Sequence, residues 1–199
     1  MAGRPRIGVL ALQGDVREHR TALSHFDVDV ASVRTAEELA HVDGLVLPGG
    51  ESSVIDKLSR LFGIAEPLST AIGDGLPVFG TCAGLIMLAR RLTDGIAGQQ
   101  TFGGLDVTVQ RNAFGSQTDS FETDVDVALL GAPPVHAVFI RAPLVTDVGP
   151  AVRVLGRLGD GRVVAVEDGN VIGTSFHPEV SGELRFHARF VERVHARAA

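Results

Sequence analysis

The chain has 199 residues, a hydrophobic fraction of 45% and a formal net charge of −6. This length suits one domain with a substantial core, and we expect a single domain over residues 1–199. The acidic balance disfavours nucleic acid binding, and without an apolar run of about 18–20 residues no membrane span is expected. The single cysteine cannot form an internal disulfide, which favours a reducing, cytoplasmic location.

The first half of the chain alternates between strands and helices. Strands are predicted at residues 6–12, 28–33, 44–47 and 77–80. Helices are predicted at residues 16–24, 36–41, 53–61, 64–74 and 83–92. This alternation indicates a parallel sheet with helices on both faces.

The pattern changes after Thr93, where short strands predominate. They are predicted at residues 106–110, 120–125, 135–140, 152–158, 163–167 and 171–176, before a closing helix at 182–196. The sequence therefore predicts an α/β fold with a mostly parallel central sheet and flanking helices, similar to flavodoxin. Ligands in such sheets bind beyond the carboxyl ends of strands, so we expect the functional site there.

The only cysteine lies between an apolar strand and an apolar helix. Residues 77–80 lead into Cys82, which Gly80 and Gly84 flank. Small residues allow a sharp turn and leave the thiol open to a substrate. A helix that begins beside a cysteine favours the reactive thiolate. The alternative, a buried cysteine that acts as a small apolar residue, does not explain this context.

A base for this nucleophile is predicted near the end of the last strand. The apolar segment 171–176 runs into His177, Pro178 and Glu179. Proline disfavours helical backbone at the preceding residue, so the segment is expected to be extended, with His177 and Glu179 facing the same side. The carboxylate would orient the imidazole, and the imidazole would take the proton from Cys82. A surface turn with a solvated histidine and glutamate is the alternative.

Two consecutive glycines form the third notable element. Residues 44–47 read as a buried strand that runs into Pro48, Gly49 and Gly50. Paired glycines let backbone N–H groups approach a ligand closely, as an oxyanion hole requires. A phosphate-binding loop is disfavoured because its lysine is missing. A plain turn before a helix would explain the serines that follow but not the paired glycines.

These three motifs together resemble class I glutamine amidotransferases. The matching segments are LPGGES at 47–52, GTCAG at 80–84 and FHPE at 176–179. Further segments are similar to the glutaminase subunits of pyridoxal 5′-phosphate synthase, namely GVLALQG at 8–14, VREH at 16–19, QRNAFG at 110–115, DSFE at 119–122 and VFIRAP at 138–143. Asp15 and Ser53 depart from the family pattern, which has a small residue and a threonine there.

The resemblance implies roles for individual residues. Cys82, His177 and Glu179 would form the catalytic triad, and the backbone N–H groups of Gly50 and Ala83 would hold the oxyanion. The residues expected to bind glutamine are Gly50, Glu51, Ser52, Arg111, Ile140 and Arg141. An arginine suits the α-carboxylate of glutamine because its guanidinium forks around two oxygens. Neither a metal nor a cofactor is expected.

The resemblance also implies a partner. L-Glutamine would be hydrolysed to L-glutamate and ammonia, and the ammonia would pass to the synthase subunit that makes pyridoxal 5′-phosphate. Residues 12–14, at the end of the first strand, are expected to contribute to the docking surface. Three alternatives stay open at this point: a glutaminase subunit of another synthase, a stand-alone cysteine hydrolase, and a binding module without catalysis.

Overall fold

The computed structural model describes residues 3–111, 113 and 120–198. Part of the expected subfamily sequence falls outside these residues, namely 112, 114, 115 and 119. Arg111, the glutamine-binding residue predicted in that segment, is described.

Strands and helices alternate through the first half, as predicted. The first strands and helices are β1 Arg6–Leu10, α1 Val16–Leu23, β2 Asp29–Val33, α2 Ala36–Leu39, β3 Gly44–Leu47, α3 Ser52–Leu61, α4 Ala65–Gly73, β4 Val78–Thr81 and α5 Ala83–Leu88. The remaining ones are β5 Ala89–Thr93, β6 Leu105–Gln110, β7 Ser120–Val125, β8 Val135–Ile140, β9 Leu144–Val148, β10 Arg153–Arg157, β11 Val163–Asp168, β12 Val171–Thr174, α6 Pro178–Ser181 and α7 Arg185–Ala198. A 3₁₀ turn lies at Ala128–Leu130.

One large sheet organises the described residues. Its strand order is β2-β1-β3-β4-β12-β11-β9-β6-β5, with β10 paired to β11, and β7 and β8 form a separate two-stranded sheet. The run from β2 to β12 is parallel throughout, whereas β11 is antiparallel to β12 and β9. The carboxyl ends of β1, β3, β4 and β12 therefore meet at one edge, where the sequence motifs were predicted to converge.

Both faces of this sheet are buried. Along β4, Val78 packs into a cluster with α3, α4 and α5, and Phe79 packs into a cluster with α7. The first cluster includes Leu47, Ile55, Leu68, Leu85 and Met87. The second is rich in phenylalanine and includes Phe139, Phe176, Phe186 and Phe190. A parallel sheet covered on both sides explains why these strands read as continuous apolar runs.

Three predictions of local structure were wrong. The helix predicted at residues 83–92 ends at Leu88, and the chain continues as β5 because Ala89–Thr93 pairs with β6 at the sheet edge. The strand β9 was not predicted. The last strand ends at Thr174, and Pro178 begins the short helix α6 instead of extending the chain. Pairing with a distant strand overrides the local pattern at Ala89, whereas Pro178 takes the first position of a helix, which its fixed φ favours.

The helix α5 packs on the sheet at backbone distance. A Cβ atom added at Gly84 would lie 2.0 Å from the carbonyl oxygen of Leu47 in β3, and one at Gly80 would lie 2.6 Å from the carbonyl carbon of Gly84. Both positions therefore require glycine for steric reasons, and the start of α5 is fixed against β3 and β4.

No helix among the described residues has the length and apolar character needed to cross a bilayer.

We predict that Gly84→Ala destabilises the chain by at least about 2 kcal/mol, because the added methyl group meets a backbone carbonyl that cannot move aside. Urea unfolding of the purified chain measures this change. Gly73→Ala is the matched control, since nothing lies within 4 Å of a Cβ atom there. The control should be no less stable than wild type, and equal stability of wild type and Gly84→Ala would contradict the packing argument.

Candidate active site

Cys82 occupies a strained turn between β4 and α5. Its backbone angles are φ 47° and ψ −101°, a left-handed conformation that is uncommon outside glycine. The Cys82 N–H donates to the carbonyl of Thr174 in β12 at 2.8 Å, which ties the turn to the neighbouring strand. Strain of this kind is retained where the surrounding structure fixes it, and it clusters at functional sites. The predicted strand–cysteine–helix turn is thus confirmed.

The thiol faces the end of β8. Cys82 Sγ lies 3.9 Å from the carbonyl oxygen of Ile140, and Cys82 is only 6% exposed. The next residue, Arg141, also adopts a left-handed backbone, with φ 46°. The structure therefore brings the carbonyl of Ile140, the residue before Arg141, beside the sulfur.

His177 and Glu179 lie together, although not for the reason that the sequence suggested. His177 immediately precedes α6 and Glu179 lies in its first turn, so the segment is not an extended strand. The Nδ1 atom of His177 is 2.9 Å from Oε1 of Glu179, and both side chains are almost fully buried. The His177 N–H donates to the carbonyl of Val138, which anchors the turn to β8.

The electrostatics of this pair favour the ionised forms. Burial of the imidazole acts to lower the pKa of His177, but hydrogen bonds with Asp15, Cys82 and Glu179 raise the pKa well above 6.5. Burial acts to raise the pKa of Glu179, but the charge of His19 and the hydrogen bond with His177 hold that pKa far below its usual range. A charged histidine beside a cysteine is the pairing that cysteine nucleophiles use.

A buried polar network that the sequence patterns did not reveal lies behind Glu179. Oε1 of Glu179 accepts a hydrogen bond from Thr81 Oγ1 at 3.3 Å and lies 3.4 Å from Nε2 of His19. The other ring nitrogen of His19 is 3.0 Å from Nε2 of His187 in α7. Burial and the neighbouring His19 lower the pKa of His187 to about 3, so that ring is neutral. The sequence feature that could have indicated this network is the position of His19 and His187 on the apolar faces of two amphipathic helices.

The two glycines after β3 adopt a conformation suited to backbone donors. Gly50 has φ 150°, and a Cβ atom there would lie 2.4 Å from Oε1 of Gln13. The carbonyl of Gly49 accepts from the Asp15 N–H at 3.1 Å, and the Glu51 N–H donates to Gln13 Oε1 at 2.7 Å. The loop after β1 therefore holds residues 48–50, here called the glycine loop, in place.

Two backbone N–H groups in this region are free to bind an oxyanion. Within the described part of the chain, neither the N–H of Gly50 nor that of Ala83 donates to a protein acceptor. Ala83 is the first residue of α5, where N–H groups have no partner inside the helix. Both were the predicted oxyanion donors.

Three of the predicted glutamine-binding residues, Glu51, Ser52 and Arg111, belong to one connected polar cluster. Arg111 donates to Oε1 of Glu51 at 2.8 Å and to Oε1 of Gln99 at 3.0 Å. Gln99 in turn donates to Oγ of Ser52 at 3.0 Å. Gln99, which no sequence motif pointed to, links the arginine to the start of α3. Because Glu51 follows Gly50, this cluster continues the glycine loop.

The two predicted arginines differ in their surroundings. The side chain of Arg111 is 10% exposed and paired with Glu51. Arg141 is exposed, and its guanidinium makes no ion pair or hydrogen bond with the residues that the structure describes. Arg111 is therefore held by Glu51, whereas the described residues leave the guanidinium of Arg141 unpaired.

Three side chains around the imidazole, those of Asp15, His177 and Glu179, also have the spacing of metal ligands. Asp15, His177 and Glu179 present ligand atoms within 4.8 Å of one another. The ring nitrogen of His177 that faces Glu179 must carry a proton to donate the 2.9 Å hydrogen bond. A metal at this nitrogen would replace that proton, so the present geometry fits a hydrogen-bonded triad better than a metal centre.

Comparison with known proteins gives a consistent result. The model of the SNO glutamine amidotransferase family matches residues 9–196. A protein of Leifsonia xyli subsp. xyli, named pyridoxal 5′-phosphate synthase subunit PdxT, is 64% identical over 99% of this chain and 100% of that protein. The protein of the same name from Streptomyces coelicolor is 55% identical over 100% of this chain and 98% of that protein.

Solved structures show the same likeness. A crystal structure described as a glutamine amidotransferase has a TM-score of 0.86 and 44% sequence identity, and it covers 94% of this chain and 98% of that one. A structure from Thermoplasma acidophilum, described as part of a GMP synthase, is 18% identical over 100% of this chain and 98% of that one, and it shares the fold with a TM-score of 0.71. The family model spans nearly the whole chain, and the chain therefore belongs to the SNO glutamine amidotransferase family.

Proposed function

We propose that Cys82, His177 and Glu179 form the triad with which this chain hydrolyses L-glutamine to L-glutamate and ammonia. The observation that carries the proposal is the strained Cys82 turn beside a buried His177–Glu179 pair whose atoms are 2.9 Å apart. Nucleophile, base and orienting carboxylate are the three groups that such a reaction needs. The names of the relatives point to the same activity.

The reaction begins with attack on the substrate. The thiolate of Cys82 adds to the side-chain amide carbon of glutamine, and the amide oxygen becomes an oxyanion. The N–H groups of Gly50 and Ala83 hold this oxyanion, and one such donor is worth about 3–4 kcal/mol of transition-state stabilisation. Because these groups are fixed by the turns that contain them, they need no reorganisation during the reaction.

His177 moves the proton in both halves of the reaction. As imidazolium it protonates the leaving nitrogen, the carbon–nitrogen bond breaks, and ammonia departs from the γ-glutamyl thioester on Cys82. The neutral imidazole then takes a proton from water, which attacks the thioester carbon. The carbon–sulfur bond breaks, and glutamate and the thiolate of Cys82 are released. Glu179 stabilises the charged ring and keeps its orientation.

Glutamine is recognised by residues that follow β3 and by residues at the end of β8. Arg141, the residue after Ile140, supplies an exposed guanidinium that is unpaired among the described residues, which suits the α-carboxylate of the substrate. The backbone at Gly50 and Ile140 and the side chains of Glu51 and Ser52 complete the proposed pocket. Arg111 acts mainly by holding Glu51, since its guanidinium is already paired there.

The ammonia is delivered to the synthase subunit of pyridoxal 5′-phosphate synthase. The names of the relatives support this heteromeric assembly. The partner docks at the mouth of the site, where Gln13 and Gly14 touch the glycine loop. A contact on these residues acts on the loop that carries Gly50, one of the two proposed oxyanion donors. Residues 1–199 act as one glutaminase domain in the cytoplasm, without nucleic acid, metal or cofactor.

The triad predicts a graded loss of glutamine hydrolysis. In the complex with the synthase subunit, Cys82→Ala and His177→Asn should lower kcat by about a thousandfold or more, since each removes a group that forms or breaks bonds. Glu179→Gln should be milder because the imidazole remains. Ammonia release measures the rate, and circular dichroism checks folding. His136→Asn, an exposed histidine paired with Glu122, is the matched control. Full activity of folded Cys82→Ala would refute the proposed function.

The arginines predict a change in substrate affinity. Arg141→Ala should raise the glutamine KM by about ten- to a hundredfold, because a charge-assisted hydrogen bond is worth about 1.5–3 kcal/mol. Arg111→Ala should also raise KM, through release of Glu51. The charge-matched control is Arg4→Ala, which only breaks a surface pair with Asp27. Unchanged KM in both site variants would remove these arginines from the glutamine pocket.

A further inference from the structure

Asp15 occupies a helix-capping position without capping the helix. It immediately precedes α1, where an aspartate normally accepts hydrogen bonds from the first backbone N–H groups. Its side chain makes no such bond. Instead, Oδ2 of Asp15 lies 3.4 Å from Nδ1 of His177, the nitrogen that also faces Glu179. The carboxylate is thus directed at the imidazole and leaves the helix terminus without a side-chain cap.

Gly49 makes room for this contact. A Cβ atom at Gly49 would lie 2.7 Å from Oδ2 of Asp15 and 2.4 Å from Cε1 of His177. Any other residue would therefore push the carboxylate and the ring apart. The carbonyl of Gly49 also accepts from the Asp15 N–H, so the backbone fixes Asp15 at this distance. The first glycine of the pair thus has a steric role separate from that of Gly50.

We infer that Asp15 is a positioning residue, a second carboxylate that holds the imidazolium of His177 together with Glu179. The inference rests on the proposed function of the triad, because it assigns Asp15 to the same base. It also gives a role to the residue that departs from the pattern expected at this position.

The two carboxylates differ in what else they serve. Oε1 of Glu179 is shared among His177, Thr81 and His19, and the side chain is fully buried. Asp15 is 38% exposed, and within the described residues its carboxylate forms an ion pair with His177 alone. Glu179 therefore anchors the ring to the core, and Asp15 adds negative charge from the β1–α1 loop.

The charge at Asp15 has a definite consequence for pH dependence. The groups that face His177 are Asp15 from the β1–α1 loop, Glu179 from α6 and Cys82 from the β4–α5 turn, with His19 of α1 behind Glu179. A nearby negative charge stabilises the imidazolium, so removal of the charge lowers the pKa of His177. Protonation of the leaving ammonia then fails at a lower pH, and the alkaline limb of the rate profile moves down.

The first test compares pH profiles of the wild-type complex and Asp15→Asn, which keeps the shape and removes the charge. The alkaline limb of kcat/KM should move down by about one pH unit, the low end of the range for a neighbouring charge, since Asp15 is partly exposed. Asp74→Asn is the charge-matched control, at the opposite end of β4 from Cys82. Its profile should match wild type.

A second readout does not depend on activity. ¹⁵N NMR of the histidine rings, with the His177 signal assigned from His177→Asn, follows the protonation of this imidazole directly. Its titration midpoint should be lower in Asp15→Asn than in wild type and in Asp74→Asn. An unchanged midpoint would overturn the inference, even if Asp15→Asn lowered activity. Full activity of Cys82→Ala would instead refute the triad itself, so the two failures are distinguishable.

A double-mutant cycle tests whether the carboxylates substitute for each other. Glu179→Gln leaves Asp15 beside the ring, and Asp15→Asn leaves Glu179. The double variant should lose at least about tenfold more kcat than the product of the two single losses, a coupling within the range for groups that share one partner. Losses that simply multiply would show that Asp15 does not act on the same imidazole, and would overturn the inference.

Discussion

The contact between the backbones of α5 and β3 is the constraint on which the rest of the site depends. Gly84 approaches the carbonyl of Leu47 so closely that a methyl group does not fit, and Gly80 makes the matching approach from β4. This packing leaves Cys82 no ordinary conformation between strand and helix, and its φ of 47° results. The strained turn in turn presents the sulfur at the sheet edge and the Ala83 N–H beside it.

The two carboxylates beside the His177 imidazole differ in exposure: Glu179 is buried and Asp15 is partly exposed. His177 lies between Cys82 and Glu179, and the core beyond Glu179 continues through Thr81 and His19. The groups around Oε1 offset the cost of this buried charge, which would be several kcal/mol for an isolated one, whereas Oε2 has no hydrogen-bond partner among the described residues. The solvent side carries the loops after β1 and β3, which also form the mouth of the site.

The glycine loop, Pro48 to Gly50, joins the groups proposed for substrate binding, catalysis and docking within a few residues. Gly49 leaves room for Asp15 beside His177, Gly50 has an N–H without an acceptor among the described residues, and Glu51 binds Arg111. Gln13 ties this loop to the end of β1 through the N–H of Glu51. Two hydrogen bonds tie the β1–α1 loop to the glycine loop, one from the Asp15 N–H to Gly49 and one from the Glu51 N–H to Gln13. A partner that contacts the β1–α1 loop therefore acts on the glycine loop through these bonds.

The sequence alone determined the parallel half of the fold and the convergence of its motifs, because continuous apolar strands and short turns are encoded locally. It did not determine two local features of the chain. Ala89 begins a strand because it pairs with the edge of β6. Pro178 begins a helix, and this helix still brings Glu179 to His177. Only the tertiary structure decided which side chains share a partner. The contacts of His19 with Glu179, Arg111 with Glu51 and Asp15 with His177 join distant segments, and such contacts depend on packing that no local pattern contains.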